Sequence, residues 1–196
     1  MSLPTLEMSL KLLRSPFIFY CDVPNHIDIK ENYYSHLKDV IHESDDTTVD
    51  RWNCNVKTTF NLFVDCLWDD YFLDSVVWKP IDQMLEEVDL NFYPTQSKIS
   101  DIWANFYKGG EFQETHDHVG KGHNLFSGIY ILHQKGPNKT SFFMNNYGIL
   151  DHHINTSDMD DIKEGTVIIF PSNLLHYVNP VEDERCTISF NIKCEF

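Results

Sequence analysis

The apolar positions of this chain follow two rhythms, one in each half. Behind Asp28, the residues Tyr33/Tyr34, Leu37 and Val40/Ile41 recur at steps of three and four, the spacing of one helix face. Asp28 followed by Glu31 reads as a capping box, in which each side chain satisfies a free backbone N–H. Together they predict an amphipathic helix over residues 29–43. Val77, Ile81, Leu85 and Val88 repeat the helical spacing, and Pro80 is compatible with it only near that helix's first turn. Between them, residues 47–75 are ambiguous. The pattern there allows a short extended piece over 52–57 and some helix over 60–68.

From Lys98 onward the texture changes to runs rich in β-branched and aromatic residues: 99–107, 125–133, 140–145, 166–170 and 187–194. Turn-forming clusters separate them, as in Lys108-Gly-Gly, Gly136-Pro-Asn-Lys and Glu164-Gly165. Short strands with turns between them predict an antiparallel sandwich or jelly roll, mostly β, with the helices of the first half flanking one sheet. No repeat, low-complexity tract or linker divides the chain. The reading is one domain over 1–196, a helical buttress mainly in 1–97 and a jelly-roll core mainly in 98–196.

Charge and cysteines narrow the function classes. The 196 residues include 15 Lys+Arg against 30 Asp+Glu, a net charge of −15 that repels phosphate backbones and anionic membrane surfaces. Nucleic acid is therefore disfavoured as a partner. Five cysteines (Cys21, Cys54, Cys66, Cys186, Cys194) are odd in number and lack CxxC spacing, so they read as buried small side chains in a reducing compartment. Charged residues interrupt every apolar stretch of the first twenty, which predicts neither a signal peptide nor a membrane span. A cytoplasmic protein is expected, and the glycosylation patterns at Asn138 and Asn155 are then chance matches.

Among ten histidines, three stand out. His116 and His118 flank Asp117, and in an extended segment residues two apart share a face, so two imidazoles would converge on one metal ion. His176 follows a strand end, Phe170-Pro-Ser-Asn-Leu-Leu, and Arg185 opens the last strand nine residues later. Each feature alone has an ordinary structural reading; their order along the strand-rich half is what carries information. His152-His153 reads as a solvated loop pair, and His123, beside Gly120 and Gly122, takes an ordinary structural reading, with a place on a lid over the site as the lesser alternative.

The blocks Asn105-Phe-Tyr107-Lys-Gly-Gly110-Glu-Phe-Gln-Glu-Thr-His116-Asp-His118, Leu125-Phe-Ser-Gly-Ile-Tyr-Ile-Leu132, Gly165-Thr-Val-Ile-Ile-Phe-Pro-Ser172, Leu175-His176 and Arg185-Cys-Thr-Ile-Ser-Phe-Asn191 resemble, in order, the 2-oxoglutarate/iron(II)-dependent oxygenases. The likeness is to a small bacterial and phage branch with H-x-H…H and R-x-S/T motifs. The resemblance implies a double-stranded β-helix (jelly roll, cupin-like). It also implies iron(II) held by His116, His118 and His176, and 2-oxoglutarate as co-substrate. Arg185 takes the family's position for the distal carboxylate, Thr187 can add a hydroxyl, and Asn105, Tyr107 and Tyr130 are further co-substrate candidates. For both tyrosines a core position with one polar tip is an equal reading.

The wider superfamily places a carboxylate where this chain has His118. Asp117 is the alternative ligand if a bulge turns it inward. The implied reaction couples oxidative decarboxylation of 2-oxoglutarate to C–H oxidation of a small-molecule, peptide or protein substrate. Two alternatives stay open at this level: a three-His cupin-like dioxygenase that does not use 2-oxoglutarate, and a non-catalytic jelly-roll binding module.

Overall fold

A computed structural model describes residues 17–50, 52–87, 96–119, 124–137, 139–146, 150–155 and 161–195, with backbone alone along 144–146, 150–155 and at 195. The readings of His123 in a lid, of Val88, of Asn138 and of the first sixteen residues lie outside the described residues. So do the side chains of His152, His153 and Asn155.

The first half contributes β1 (Phe19–Asp22), α1 (His26–Glu43), β2 (Lys57–Thr58), a 3-10 turn (Asp65–Trp68), α2 (Asp70–Leu73), a π-helical turn (Asp74–Trp78) and α3 (Lys79–Glu87). The second contributes β3 (Gln96–Tyr107), β4 (Gln113–His116), β5 (Phe126–Gln134), β6 (Thr140–Asn146), β7 (Leu150–Asn155), β8 (Thr166–Pro171), β9 (His176–Val178) and β10 (Arg185–Glu195). The strands form two antiparallel sheets, a six-stranded one in the order β1-β8-β5-β10-β3-β2 and a four-stranded one in the order β4-β9-β6-β7. This is the expected jelly roll. The first half is more than a buttress, because β1 and β2 supply both edges of the larger sheet.

Alternation along the central strands gives each face its job. On one face of the larger sheet, Ile102, Ala104, Phe106, Tyr130, Leu132, Val167, Ile169, Cys186, Ile188, Phe190 and Ile192 form a core with Ile29, Tyr33, Leu37 and Ile41 of α1 and with Phe72, Val77, Ile81 and Met84. On the other face, Ile129, Ile131, Ile168 and Phe170 meet Phe142 of the smaller sheet. Gly128 of β5 is required by this packing: a Cβ there would lie 2.0 Å from the Phe190 ring.

Two details depart from the sequence pattern. Helix α1 begins at His26, three residues before the expected start, and its N-cap is Asn25 rather than Asp28. Asn25 makes no side-chain cap; its amide donates instead to Tyr71 Oη (2.6 Å) and Ser75 Oγ (3.0 Å), tying α1 to the second helical stretch. In that stretch the helix runs from Asp70, not Val77, and Lys79 N–H reaches Asp74 O just before Pro80. Of the extended and helical pieces allowed over 52–68, the structure has only β2 and the 3-10 turn.

Candidate active site

His116 and His176 come together because β4 and β9 are neighbours, with these two residues in register. Their ring centroids are 4.2 Å apart. His118 lies two residues beyond the end of β4, where its N–H donates to Ser172 O (2.8 Å), and its ring stands 5.2 Å from His116 and 4.9 Å from His176. One ring nitrogen from each residue falls within 4.8 Å of the other two. Asp117 does not join them. Its exposed carboxylate turns back to accept the Val119 N–H at 3.2 Å.

Each imidazole is oriented by what its Nδ1 meets: Glu114 O at 2.7 Å for His116, Asn191 Oδ1 at 2.9 Å for His118 and Leu174 O at 3.0 Å for His176. Oxygens of that kind accept, so all three Nδ1 atoms donate and all three Nε2 atoms keep a lone pair. That is the tautomer a metal ion needs. Burial also holds the rings neutral. It lowers the pKa of His116, pushes His118 down to about 3 with His116 beside it, and depresses His176 well below the usual range. His176 is packed between Phe142 and Phe170, with centroids 5.5 and 4.8 Å away.

The rest of the pocket is built by the inward faces of β3 and β10. Trp103, Asn105 and Tyr107 alternate along one strand, and Arg185, Thr187 and Ser189 along the other; all line the same pocket as the three histidines. Arg185 is buried (1% exposed). Its Nε donates to Gln134 Oε1 (3.0 Å), its Nη2 to Thr140 Oγ1 (2.8 Å), and its guanidinium carbon lies 5.3 Å from the Tyr107 ring centroid. Both of these hydrogen-bond partners are neutral side chains, and burial lowers the pKa of the guanidinium. Tyr107 donates to Gln113 Oε1 at 2.9 Å.

Tyr130 lies outside this pocket, contrary to its place among the co-substrate candidates. Its neighbours Ile129 and Ile131 point between the sheets, so Tyr130 points the opposite way. Its hydroxyl lies 2.7 Å from His26 Nδ1 under α1. Strand parity removes it from the co-substrate candidates, and the core reading of this tyrosine is the one realised.

Whether these residues suit an iron ion and a dicarboxylate can be tested on the donors themselves. Three neutral nitrogens on one side leave coordination positions open, as metal-bound substrates require. Two buried polar atoms in the wall, Trp103 Nε1 and Asn105 Oδ1, have no hydrogen-bond partner, which marks a wall made for a polar occupant. The free volume is about 10 Å³, room for roughly one water. A five-carbon dicarboxylate therefore enters only as side chains of the wall shift. The residues fit both groups.

Gln134, Thr140, Gln113, Ser189 and Asn191 were not singled out as site residues from the sequence. Ser189 and Asn191 follow from two-residue alternation after Arg185 and Thr187. Gln134 could not be found that way. A one-residue register shift between β5 and β10 reverses the parity after Ile131, so that Gln134 faces Arg185 while His133 turns out to Glu164.

The jelly roll thus carries a three-histidine pocket with a buried arginine in the same wall. Residues 101–191 match a family model described as "Putative 2OG-Fe(II) oxygenase". This segment holds all three histidines and Arg185, and over it the chain is similar to the 2-oxoglutarate/iron(II)-dependent oxygenases. The match favours 2-oxoglutarate chemistry over a dioxygenase without it and over a non-catalytic module. A comparison with curated protein sequences finds no match.

Among solved structures, the chain is similar to a prolyl-4-hydroxylase from Pseudomonas putida (TM-score 0.60, 13% identity, covering 90% of this chain and 91% of that one). It is also similar to a viral collagen prolyl hydroxylase from Paramecium Bursaria Chlorella virus-1 in complex with 2-oxoglutarate (0.53, 17%, 92% and 97%). A third is a Trichoplax adhaerens prolyl hydroxylase in complex with a hypoxia inducible factor peptide fragment (0.55, 15%, 88% and 82%). At these identities the likeness is one of fold. Among the described residues no helix is long and apolar enough to cross a membrane.

Proposed function

We propose that His116, His118 and His176 hold the iron(II) of this oxygenase, and that Arg185, helped by Thr187, binds the distal carboxylate of 2-oxoglutarate. Asn105 and Tyr107 complete the co-substrate wall. The observation that carries this reading is a buried guanidinium in the same pocket as three converging imidazoles. When bound, iron(II) with 2-oxoglutarate and dioxygen supplies the oxidative decarboxylation and the C–H oxidation.

The chain's own residues do the holding and excluding. The Nδ1 acceptors fix each ring. Phe142, Phe170 and Trp103 keep water from its surroundings. Arg185 offers a fork that matches a carboxylate in two hydrogen bonds.

The substrate we propose is a peptide, protein side chain or small molecule rather than nucleic acid, supported by the net charge of −15. Anaerobic titration tests the assignment. Adding iron(II) and then 2-oxoglutarate to wild type should produce the visible charge-transfer absorption of a keto-acid chelate. His176→Ala should not produce it. The same absorption in the variant would overturn the ligand set.

A further inference from the structure

We infer that Asn191 is the positioning residue that makes His118 usable as a metal ligand, a role that rests on the ligand assignment above. A carboxylate in the slot of His118 would present a lone pair in any orientation. An imidazole presents one on Nε2 only while its proton sits on Nδ1. For His116 and His176 that proton is held by backbone carbonyls, which no substitution removes. His118 is the exception. Its Nδ1 acceptor is a side chain, Asn191 Oδ1, reaching across from β10 of the opposite sheet.

The amide of Asn191 is itself held one way round. Its Oδ1 also accepts from Ser127 Oγ at 2.8 Å, and its Nδ2 points at Asp101 Oδ2 at 3.4 Å. Turning the amide over would set its oxygen against the Asp101 carboxylate and its NH₂ against the His118 Nδ1–H. Ser127 is steadied in turn by Ser172 Oγ at 2.8 Å, and Ser172 O accepts the His118 backbone N–H. The Asp101–Asn191–Ser127–Ser172 chain thus fixes both the ring and the backbone of His118. Strand β10 therefore serves the pocket twice, with Arg185 at one end of its inward face and Asn191 at the other. A lone His118→Asp change would not restore a carboxylate ligand set cleanly, because the new carboxylate would face the oxygen of Asn191.

The test uses the full chain labelled with 15N-histidine, free of metal, at pH 7.5. Long-range 1H–15N spectra of wild type should show the Nδ1–H tautomer for His116, His118 and His176. Asn191→Leu should take His118 alone out of that tautomer, the other two reporting that the fold is intact. Co(II) affinity should fall by about 10–100-fold in this variant. Asn191→Asp combined with Asp101→Asn exchanges donor and acceptor while keeping an oxygen for His118, and should restore both tautomer and affinity. This pair decides the matter even if the leucine variant fails to fold. An unchanged His118 tautomer or Co(II) affinity in Asn191→Leu, or no recovery in the exchanged pair, overturns the inference and leaves the ligand set standing. If wild type binds no Co(II), the ligand set falls, and the inference with it.

Discussion

His116 and His176 are direct partners across the β4–β9 ladder, so two imidazoles far apart in sequence become cross-strand neighbours 4.2 Å apart by ring centroid. Replacing either by Ala deletes a donor without disturbing the ladder. Each variant should lose stoichiometric iron(II) binding in an anaerobic titration, as should His118→Ala. Asp117→Ala should bind like wild type, because its carboxylate caps its own turn. Metal loss on Asp117→Ala with retention on His118→Ala would restore the carboxylate ligand set.

Gly128 and Phe190 are neighbours on β5 and β10, and the phenyl ring occupies the space a Cβ would need. Gly128→Ala should overpack this position and cost about 2–3 kcal/mol in denaturant unfolding. Phe190→Leu in the same chain should recover part of that loss. Simple addition of the two single effects would show that the contact is not the cause.

Most of the second half was legible in the sequence because its strands are long, apolar and punctuated by glycine-rich turns. The runs over 99–107, 125–133 and 166–170 all became strands of the larger sheet. The short strands were harder. β4 carries Gln113 to His116 with little apolar character, and β9 has three residues; pairing with distant chain defines both. The placement of Tyr130 depended on strand parity, which Ile129 and Ile131 could have signalled. That of Gln134 depended on a register shift, for which nothing local gives a cue. Asp28 has the local pattern of a cap, whereas α1 starts at His26 behind Asn25, whose side chain is held by tertiary contacts.

Acid should unfold the metal-free protein early. His116, His118 and His176 have pKa values lowered by burial, so the unfolded chain takes up protons near pH 6.5 before the folded one does. Stability is then full above pH 6.5 and falls as pH drops below it, by up to about 1.4 kcal/mol per pH unit for each histidine. Glu164 adds a second window. Burial would raise its pKa, but hydrogen bonds from Lys30, the Gln134 N–H and His26 outweigh that and hold it at about 2, so its contribution disappears as pH falls from about 4.5 toward 2. Denaturant titrations in chelator from pH 8 to 2 check both windows. Stability that stays level between pH 7 and 5 would contradict it.

Tyr130 gives a control for the pocket boundary. Tyr130→Phe removes the partner of His26 Nδ1 under α1 and should cost about 1 kcal/mol of stability. Its 2-oxoglutarate affinity should stay within about twofold of wild type. A large loss of co-substrate binding would put Tyr130 back among the pocket residues.

The assignment of the pocket as a 2-oxoglutarate site rests most directly on Arg185. Calorimetry of 2-oxoglutarate binding to the iron(II)-loaded, oxygen-free protein should show tight one-to-one binding in wild type. Removing one partner of a buried, charge-assisted pair costs about 2–5 kcal/mol. At about 1.4 kcal/mol per tenfold, Arg185→Ala should weaken binding by roughly 30-fold or more, and Arg185→Lys should recover only part of the loss, since it offers a single point charge. Iron(II) affinity should hardly change in either variant. Undiminished 2-oxoglutarate binding by Arg185→Ala would contradict the assignment.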